Sequence, residues 1–127
     1  MQDRLLFEYA VIRLVPRVER EEFVNVGILL FCKSKRYLRC RYQLNKEKIT
    51  ALCAVLDCSD VESHLSSFEA ICHADKKAGP IALLDAPSRF RWLTATRSTV
   101  VQTSKVHPGF CYDLDETLDK LFEQLVL

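Results

Sequence analysis

The sequence has few of the residues on which common catalytic and nucleotide-binding sites depend. It contains only three glycines in 127 residues, which excludes a nucleotide site built from a glycine-rich loop. The nucleophile-elbow motif GxSxG and the zinc-protease motif HExxH are also absent. Because no residue pattern identifies a reaction, we expect a protein with no catalytic residues and no cofactor.

Long apolar runs are missing as well. No stretch reaches the length needed to cross a bilayer, and the N-terminus MQDRLLFEYA carries charges early, where a signal peptide would have an apolar core. We therefore expect a cytosolic protein without membrane contact. The chain length predicts one domain, residues 1–127, which is large enough to bury a core without disulfides or a bound metal.

The six cysteines form no CxxC pair, although such pairs are typical of structural zinc sites. Most of them lie within apolar runs, and in a reducing compartment this pattern favours small buried hydrophobic side chains. The alternative is zinc bound by Cys72, His73 and distant cysteines. Because the usual ligand spacing is missing, we expect no metal site.

Hydrophobic periodicity predicts three strands in the first third of the chain. Residues 5–15 and 23–32 are rich in β-branched and aromatic side chains. Residues 37–42 alternate between apolar and polar side chains, as a half-buried strand does. The charged turn at residues 33–36 joins the last two strands, so an antiparallel meander is predicted. Residues 98–104 predict one later strand.

From Asn45 onward the apolar residues follow a helical period. Asn45 is suited to cap a first helix, and Ser59 with Glu62 forms a capping box for a second helix that Gly79 ends. Asp113, whose short side chain can accept hydrogen bonds as that of Asn45 does, precedes a final amphipathic helix and is suited to cap it. The order βββ-αα-β-α predicts an α+β fold: a mainly antiparallel sheet, made of the three-strand N-terminal meander plus the later strand, covered by helices on one face.

Asn25 and Gly27 interrupt the otherwise apolar second strand, and simple alternation puts both on the same face. A buried amide needs hydrogen-bond partners, and a glycine within a strand often marks the close approach of another backbone. We expect a structural partner for Asn25, such as the backbone of the charged loop after Pro16.

Positive charge is unevenly distributed along the chain. The net charge is +1 overall, but residues 1–48 carry +5, residues 49–88 carry −4 and residues 89–127 carry zero. The segment from Arg89 to Gly109, RFRWLTATRSTVVQTSKVHPG, holds four cations and no carboxylate. These cations need a partner, which is either an acidic residue elsewhere in the fold or an anionic ligand.

Two motifs, YAVIRLVPRVEREEFVNVGILLFC and FRWLTATRSTVVQTSKVHPGFC, resemble the uncharacterised bacterial family known as domain of unknown function 3037. The likeness spans nearly the whole chain. No activity is established for that family, and its members tend to be encoded beside HipA-like serine/threonine kinases. The resemblance therefore implies a small accessory or regulatory protein without catalysis, with a HipA-like kinase as its candidate protein partner.

The motif positions imply one arginine-rich, anion-binding pocket where the two blocks meet. Guanidinium groups match carboxylate and phosphate geometry, so the ligand would be phosphorylated or otherwise anionic. An internal ion-pair network without a ligand is the competing interpretation. The implied ligand-binding residues are Arg13, Arg20, Glu22, Asn25, Arg89, Arg91, Trp92, Arg97, Ser98, Thr99, Gln102 and His107.

Nucleic-acid binding or processing is the alternative function. Residues 36–41 and the segment from Arg89 to Trp92 both interleave cations with aromatic rings, a combination that single-strand binding uses. A nearly neutral domain gains little from counterion release unless those cations share one face. The nucleic-acid hypothesis therefore requires a single basic face.

Overall fold

The computed structural model describes residues 3–53, 58–97 and 99–127. Within these residues the strands are β1 (Leu5–Leu14), β2 (Val24–Cys32), β3 (Tyr37–Tyr42), β4 (Val101–Thr103) and β5 (His107–Cys111). The α-helices are α1 (Lys46–Leu52), α2 (Cys58–Cys72), α3 (Ala86–Thr94) and α4 (Leu114–Leu125). Short 3-10 turns occur at Val18–Arg20, Lys76–Ala78 and Pro80–Leu83.

β1 is the centre of an antiparallel sheet. Along one edge it pairs with β2, which pairs in turn with β3. Two strands share its other edge, because β4 pairs with residues 12–14 and β5 with residues 5–9. Between these strands Ser104 is buried, and its Oγ accepts a hydrogen bond from the Val11 N–H at 2.8 Å. This bond satisfies a strand donor that would otherwise be left unpaired.

Helices cover both faces of the sheet. On the first face, α1, α2 and α3 bury Ile49, Leu65 and Phe90 against the strands. On the second face, α4 buries Leu118 and Phe122. Full burial of a side chain of this size stabilises the fold by about 1.5–3 kcal/mol, so both layers are integral to it. In the described part of the chain, no helix is both long and apolar enough to cross a membrane.

The α+β class and the antiparallel sheet predicted from the sequence are confirmed. β3 has the predicted bounds, and the Asn45 and Asp113 side chains cap α1 and α4 by accepting hydrogen bonds from the N–H groups of Lys48 and Glu116. The expectation that helices cover one face only is wrong, because the amphipathic stripe of α4 packs on the second face.

The region from α2 to β5 differs most from the prediction. α2 begins at Cys58, so Ser59 is not its cap, and it ends at Cys72, well before Gly79. Neither α3 nor β5 was predicted. Asp85 caps α3. β5 contains a proline and a glycine, which are tolerated because among the described strands it pairs with β1 alone.

A bulge in β2 decides on which face of the sheet the Asn25 side chain lies. The register between β1 and β2 shifts so that Gly27 pairs with Ile12 whereas Asn25 pairs with Arg13. One extra residue reverses the alternation of side chains, which places Asn25 on the second face. There its Nδ2 donates to the Leu125 carbonyl at 3.0 Å. Asn25 therefore has the expected structural partner, a backbone carbonyl, but that carbonyl belongs to α4 and not to the charged loop. The prediction that Asn25 shares a face with Gly27 is wrong.

Candidate functional site

Asn25, Arg13 and Gln102 form a row across β2, β1 and β4, because Arg13 pairs with both of the others. Directly paired residues in an antiparallel sheet share a face, so this polar row lies on the second face. The Arg13 guanidinium lies over the Phe23 ring, 4.1 Å from its centroid. An aromatic ring under a guanidinium favours the cation and holds it at the sheet surface.

The hydrogen-bonding atoms of the polar row find only some of their partners within the protein. The Gln102 Nε2 donates to the Thr99 carbonyl at 2.8 Å, and Asn25 bonds to the last turn of α4. Among the described residues, Arg13 Nε and Asn25 Oδ1 are buried without a hydrogen-bond partner. A buried donor and acceptor on neighbouring strands are the kind of groups that a bound water molecule would bridge.

Arg89 bonds to backbone carbonyls rather than to acids. Its Nε donates to the Leu84 carbonyl at 3.0 Å, and its Nη1 donates to the carbonyls of Ile71 and Cys72 at 3.2 and 2.6 Å. The last two carbonyls lie at the C-terminus of α2, where a helix leaves its acceptors unpaired and carries partial negative charge. Arg89 thus caps α2 from a neighbouring helix.

The two other arginines of this segment also contact neutral groups. The Arg97 guanidinium lies over the Trp92 ring, 4.1 Å from its centroid, and donates to the Trp92 carbonyl. Partial burial lowers the pKa of Arg97 from its ordinary value. Arg91 is exposed, and its Nη2 donates to the Ser88 Oγ at 3.3 Å.

Within the described residues, no ion pair neutralises the cations between Arg89 and Gly109. The ion pairs found among the described residues all lie outside this segment and join Arg20 to Glu22, Arg41 to Asp119 and Lys120 to Glu116. The internal ion-pair network considered from the sequence is therefore not formed there. Backbone carbonyls and an aromatic ring take its place.

A pocket with excess positive charge lies where the β2–β3 turn meets the start of α3. It has a volume of about 480 Å³ and is lined by Lys33, Arg36, Asp85, Ala86, Pro87 and Arg89. Its one carboxylate, Asp85, already accepts from the Ser88 N–H at 2.9 Å. Hydrogen bonds from Ser88 lower the pKa of Asp85. We call this site the cationic pocket, since three cations surround one carboxylate that caps a helix.

Residues 9–126 match a family model described as protein of unknown function, DUF3037. The chain belongs to the DUF3037 family. No curated protein and no solved structure shows significant similarity to it. The match confirms the resemblance carried by the two motifs, and its description names no activity.

The two motif blocks of this DUF3037 protein meet where β4 pairs with β1, which brings Gln102 to Arg13. Arg89, Arg91 and Trp92 lie instead on α3, which packs on the first face. The polar row lies on the second face. The structure therefore does not bring the motif residues into one pocket.

The remaining motif residues lie elsewhere. Arg20 and Glu22 pair with each other in the exposed loop and line a separate open pocket of about 450 Å³. His107, on the edge strand β5, packs its ring against a tyrosine ring of β1, with 5.4 Å between centroids. Thr99 is exposed. Ser98 lies outside the described residues.

The cationic pocket includes two residues, Lys33 and Arg36, that the motif comparison did not select. Both lie in the charged turn between β2 and β3, and a charged turn taken alone is usually a solvated loop. Only the packing of α3 against β2 and β3 brings this turn to Arg89. In the sequence, only the density of cations in the turn could have suggested a binding site. Nothing local indicated that the turn would lie beside the start of α3.

The arginines named for nucleic-acid binding do not share one face. Arg41 lies on the second face, where its Nη1 bonds to Asp119 of α4 at 2.7 Å and its guanidinium lies over the Phe122 ring. Arg39 is on the same face by strand alternation. Arg36 and Arg89 meet in the cationic pocket, but Arg39 and Arg41 lie on the second face, so the named arginines form no single basic surface.

Tyr37 makes a pH-dependent contact between β3 and α4. Its hydroxyl donates to Asp115 Oδ1 at 2.7 Å, and burial together with this bond raises the pKa of Tyr37 above its ordinary value of 10.0. The folded state therefore holds the phenol proton more tightly than the unfolded state, so this contribution to stability is complete below about pH 10 and is lost at higher pH.

We expect Asp115→Asn to lower the pKa of Tyr37, because the substitution removes a negative charge from beside the phenol. A spectrophotometric titration at alkaline pH measures the change, and Tyr37→Phe identifies which transition belongs to this residue. An unchanged midpoint in Asp115→Asn would show that the carboxylate does not face the phenol.

Proposed function

We propose that this DUF3037 protein is a non-catalytic binding protein that recognises a phosphorylated group on a protein partner through the cationic pocket. The supporting observation is the excess of three cations over one carboxylate, which is already engaged at the start of α3. Guanidinium groups bind phosphate oxygens through paired charge-assisted hydrogen bonds, and a lysine adds a point charge.

Arg89 is prepared for such binding. Its three bonds to carbonyls use Nε and Nη1, so the side chain is held in place while Nη2 takes part in none of them. A group that is already ordered loses less conformational entropy when a ligand binds. Lys33 and Arg36 are exposed in the turn and supply the adaptable side of the pocket.

The distribution of charge favours a phosphorylated protein over a nucleic acid. A nucleic acid needs a continuous basic surface along its backbone, whereas Arg41 lies on the other face and is paired with Asp119. The pocket volume of about 480 Å³ is of the size that holds a small ligand group. A phosphorylated partner also accords with the HipA-like kinase implied by the family resemblance, since kinases produce such groups.

The test is a thermal-shift titration with inorganic phosphate, a phosphoserine peptide, the same peptide without phosphate and a single-stranded oligonucleotide, each at low and high salt. Binding to the native state raises the melting temperature. We expect the double variant Lys33→Ala/Arg36→Ala to bind the phosphopeptide at least tenfold more weakly than wild type. Lys35→Ala is the control, because it removes one positive charge from the same turn and Lys35 lines a different pocket. Lys33→Ala alone, which also removes one charge, is compared with it directly.

Equal affinity of wild type and the double variant for the phosphopeptide overturns the assignment of the pocket. The same conclusion follows if neither phosphate probe raises the melting temperature. A shift caused by the oligonucleotide alone, with steep salt dependence, favours the nucleic-acid alternative.

A further inference from the structure

Two buried cysteines and an exposed histidine meet at the C-terminus of α2. The Sγ atoms of Cys40 and Cys72 and a ring nitrogen of His73 all lie within 4.8 Å of one another. Cys40 belongs to β3, Cys72 is the last residue of α2, and His73 follows it directly. Both thiols are buried in the core on the first face of the sheet, whereas the imidazole is exposed to solvent.

We propose that Cys40, Cys72 and His73 bind a Zn²⁺ ion. Zinc takes thiolate sulfur at about 2.3 Å and imidazole nitrogen at about 2.0–2.1 Å, which places neighbouring ligand atoms of a tetrahedral site roughly 3.5–3.8 Å apart. Three atoms within 4.8 Å of one another reach that arrangement by small side-chain movements. The fourth position is left for water or another ligand on the solvent side, next to His73.

The charges of the ligands suit a buried ion. Two thiolates and one neutral imidazole balance the charge of Zn²⁺, so the complex places no net charge in the core. Without a metal, a hydrogen bond with Cys40 and burial raise the pKa of Cys72. The Cys72 thiol is therefore protonated in the metal-free protein, and binding of zinc as a thiolate complex releases its proton.

The surrounding structure holds the ligands in position. Cys40 lies in the middle of β3 and pairs with Leu29 of the neighbouring strand. The Cys72 carbonyl accepts from Arg89 at 2.6 Å, which fixes the end of α2. Packing as small hydrophobic groups accounts for the two buried thiols, but it does not account for an exposed histidine within reach of both. A metal accounts for all three.

The test is titration of the reduced, metal-free protein with Zn²⁺ and with Co²⁺ as a spectroscopic probe. We expect one equivalent of metal to bind, a thiolate-to-cobalt charge-transfer band and a higher melting temperature with zinc. His73→Ala removes an exposed ligand and should weaken zinc binding at least tenfold. Two control variants should bind zinc as wild type does: His64→Ala, at an exposed histidine within α2, and Cys111→Ser, at a cysteine outside the cluster.

A stoichiometry other than one, a cobalt complex without the charge-transfer band, or equal affinities of wild type and His73→Ala overturns the zinc site. Because His73 is exposed, the variant remains folded and its affinity can be compared directly. The outcome is independent of the cationic pocket, whose test changes Lys33 and Arg36 and leaves all three zinc ligands in place.

Discussion

Gly27→Ala is expected to lower the free energy of unfolding by about 3 kcal/mol, the upper end of the usual cost of overpacking a core. A Cβ at this position would lie 2.6 Å from the carbonyl oxygen of Arg41 and 2.8 Å from the Cβ of Tyr42. Neither atom can rotate away, because both are fixed by the backbone of β3. Relief requires β2 and β3 to move apart in the buried part of the sheet, and urea unfolding measures the cost.

Gly79→Ala is the control for the loss of a glycine as such. Gly79 has a φ of 96°, and a Cβ there meets nothing within 4 Å. Its substitution therefore costs only backbone strain, about 1–3 kcal/mol. A loss well below about 1 kcal/mol for Gly27→Ala would contradict the close approach of β3 to β2.

Arg89→Ala is expected to lower the free energy of unfolding by about 3 kcal/mol, because it removes three charge-assisted hydrogen bonds and leaves carbonyls at the end of α2 without a donor. Arg91→Ala is the matched control on the same helix. Arg91 is exposed and makes one long bond to Ser88, so its removal should change stability by about 0.5 kcal/mol or less.

Chemical denaturation of the two arginine variants beside wild type gives the comparison. Similar stabilities of Arg89→Ala and Arg91→Ala would mean that Arg89 is a free surface cation and not a helix cap. Arg89→Lys adds a further distinction, because a lysine keeps the charge but lacks the planar fork that reaches several carbonyls at once. We expect it to recover only part of the lost stability.

Arg89 connects the two proposed sites. Its guanidinium lines the cationic pocket and also bonds to the carbonyl of Cys72, one of the proposed zinc ligands. If the two proposed sites exist, occupation of either one would restrain the same side chain and the same end of α2. The variants that test the sites, at Lys33, Arg36 and His73, keep this arginine so that a change in binding is not a change in folding.

Most elements were predictable because their signals act over a few residues. The alternation in residues 37–42 predicted β3, and the short polar side chains of Asn45 and Asp113 predicted two helix starts that the structure shows. Side-chain period and capping bonds both depend on neighbours in sequence. The same holds for the family, whose two motifs are contiguous stretches of chain.

α3 was missed because its sequence carries mixed signals. Phe90 and Leu93 are its large buried residues, and the arginines and tryptophan between and beside them resemble a binding segment. β5 was missed because HPGFC contains residues that central strands exclude. The edge position removes that objection, since a proline in an edge strand need not donate to a second neighbour.

Local sequence was sufficient to establish the α+β class, because side-chain periodicity carries that information, and the family, because its two motifs are contiguous stretches of chain. Composition alone showed that the Arg89–Gly109 segment holds four cations and no carboxylate. Tertiary packing decided that Arg89 bonds to the carbonyls ending α2, and it brought the cations of the β2–β3 turn beside Arg89. It also turned Asn25 to the second face through one bulged residue and brought Cys40 to Cys72 and His73. Contacts between distant parts of a chain depend on strand register and helix packing, which no local period encodes.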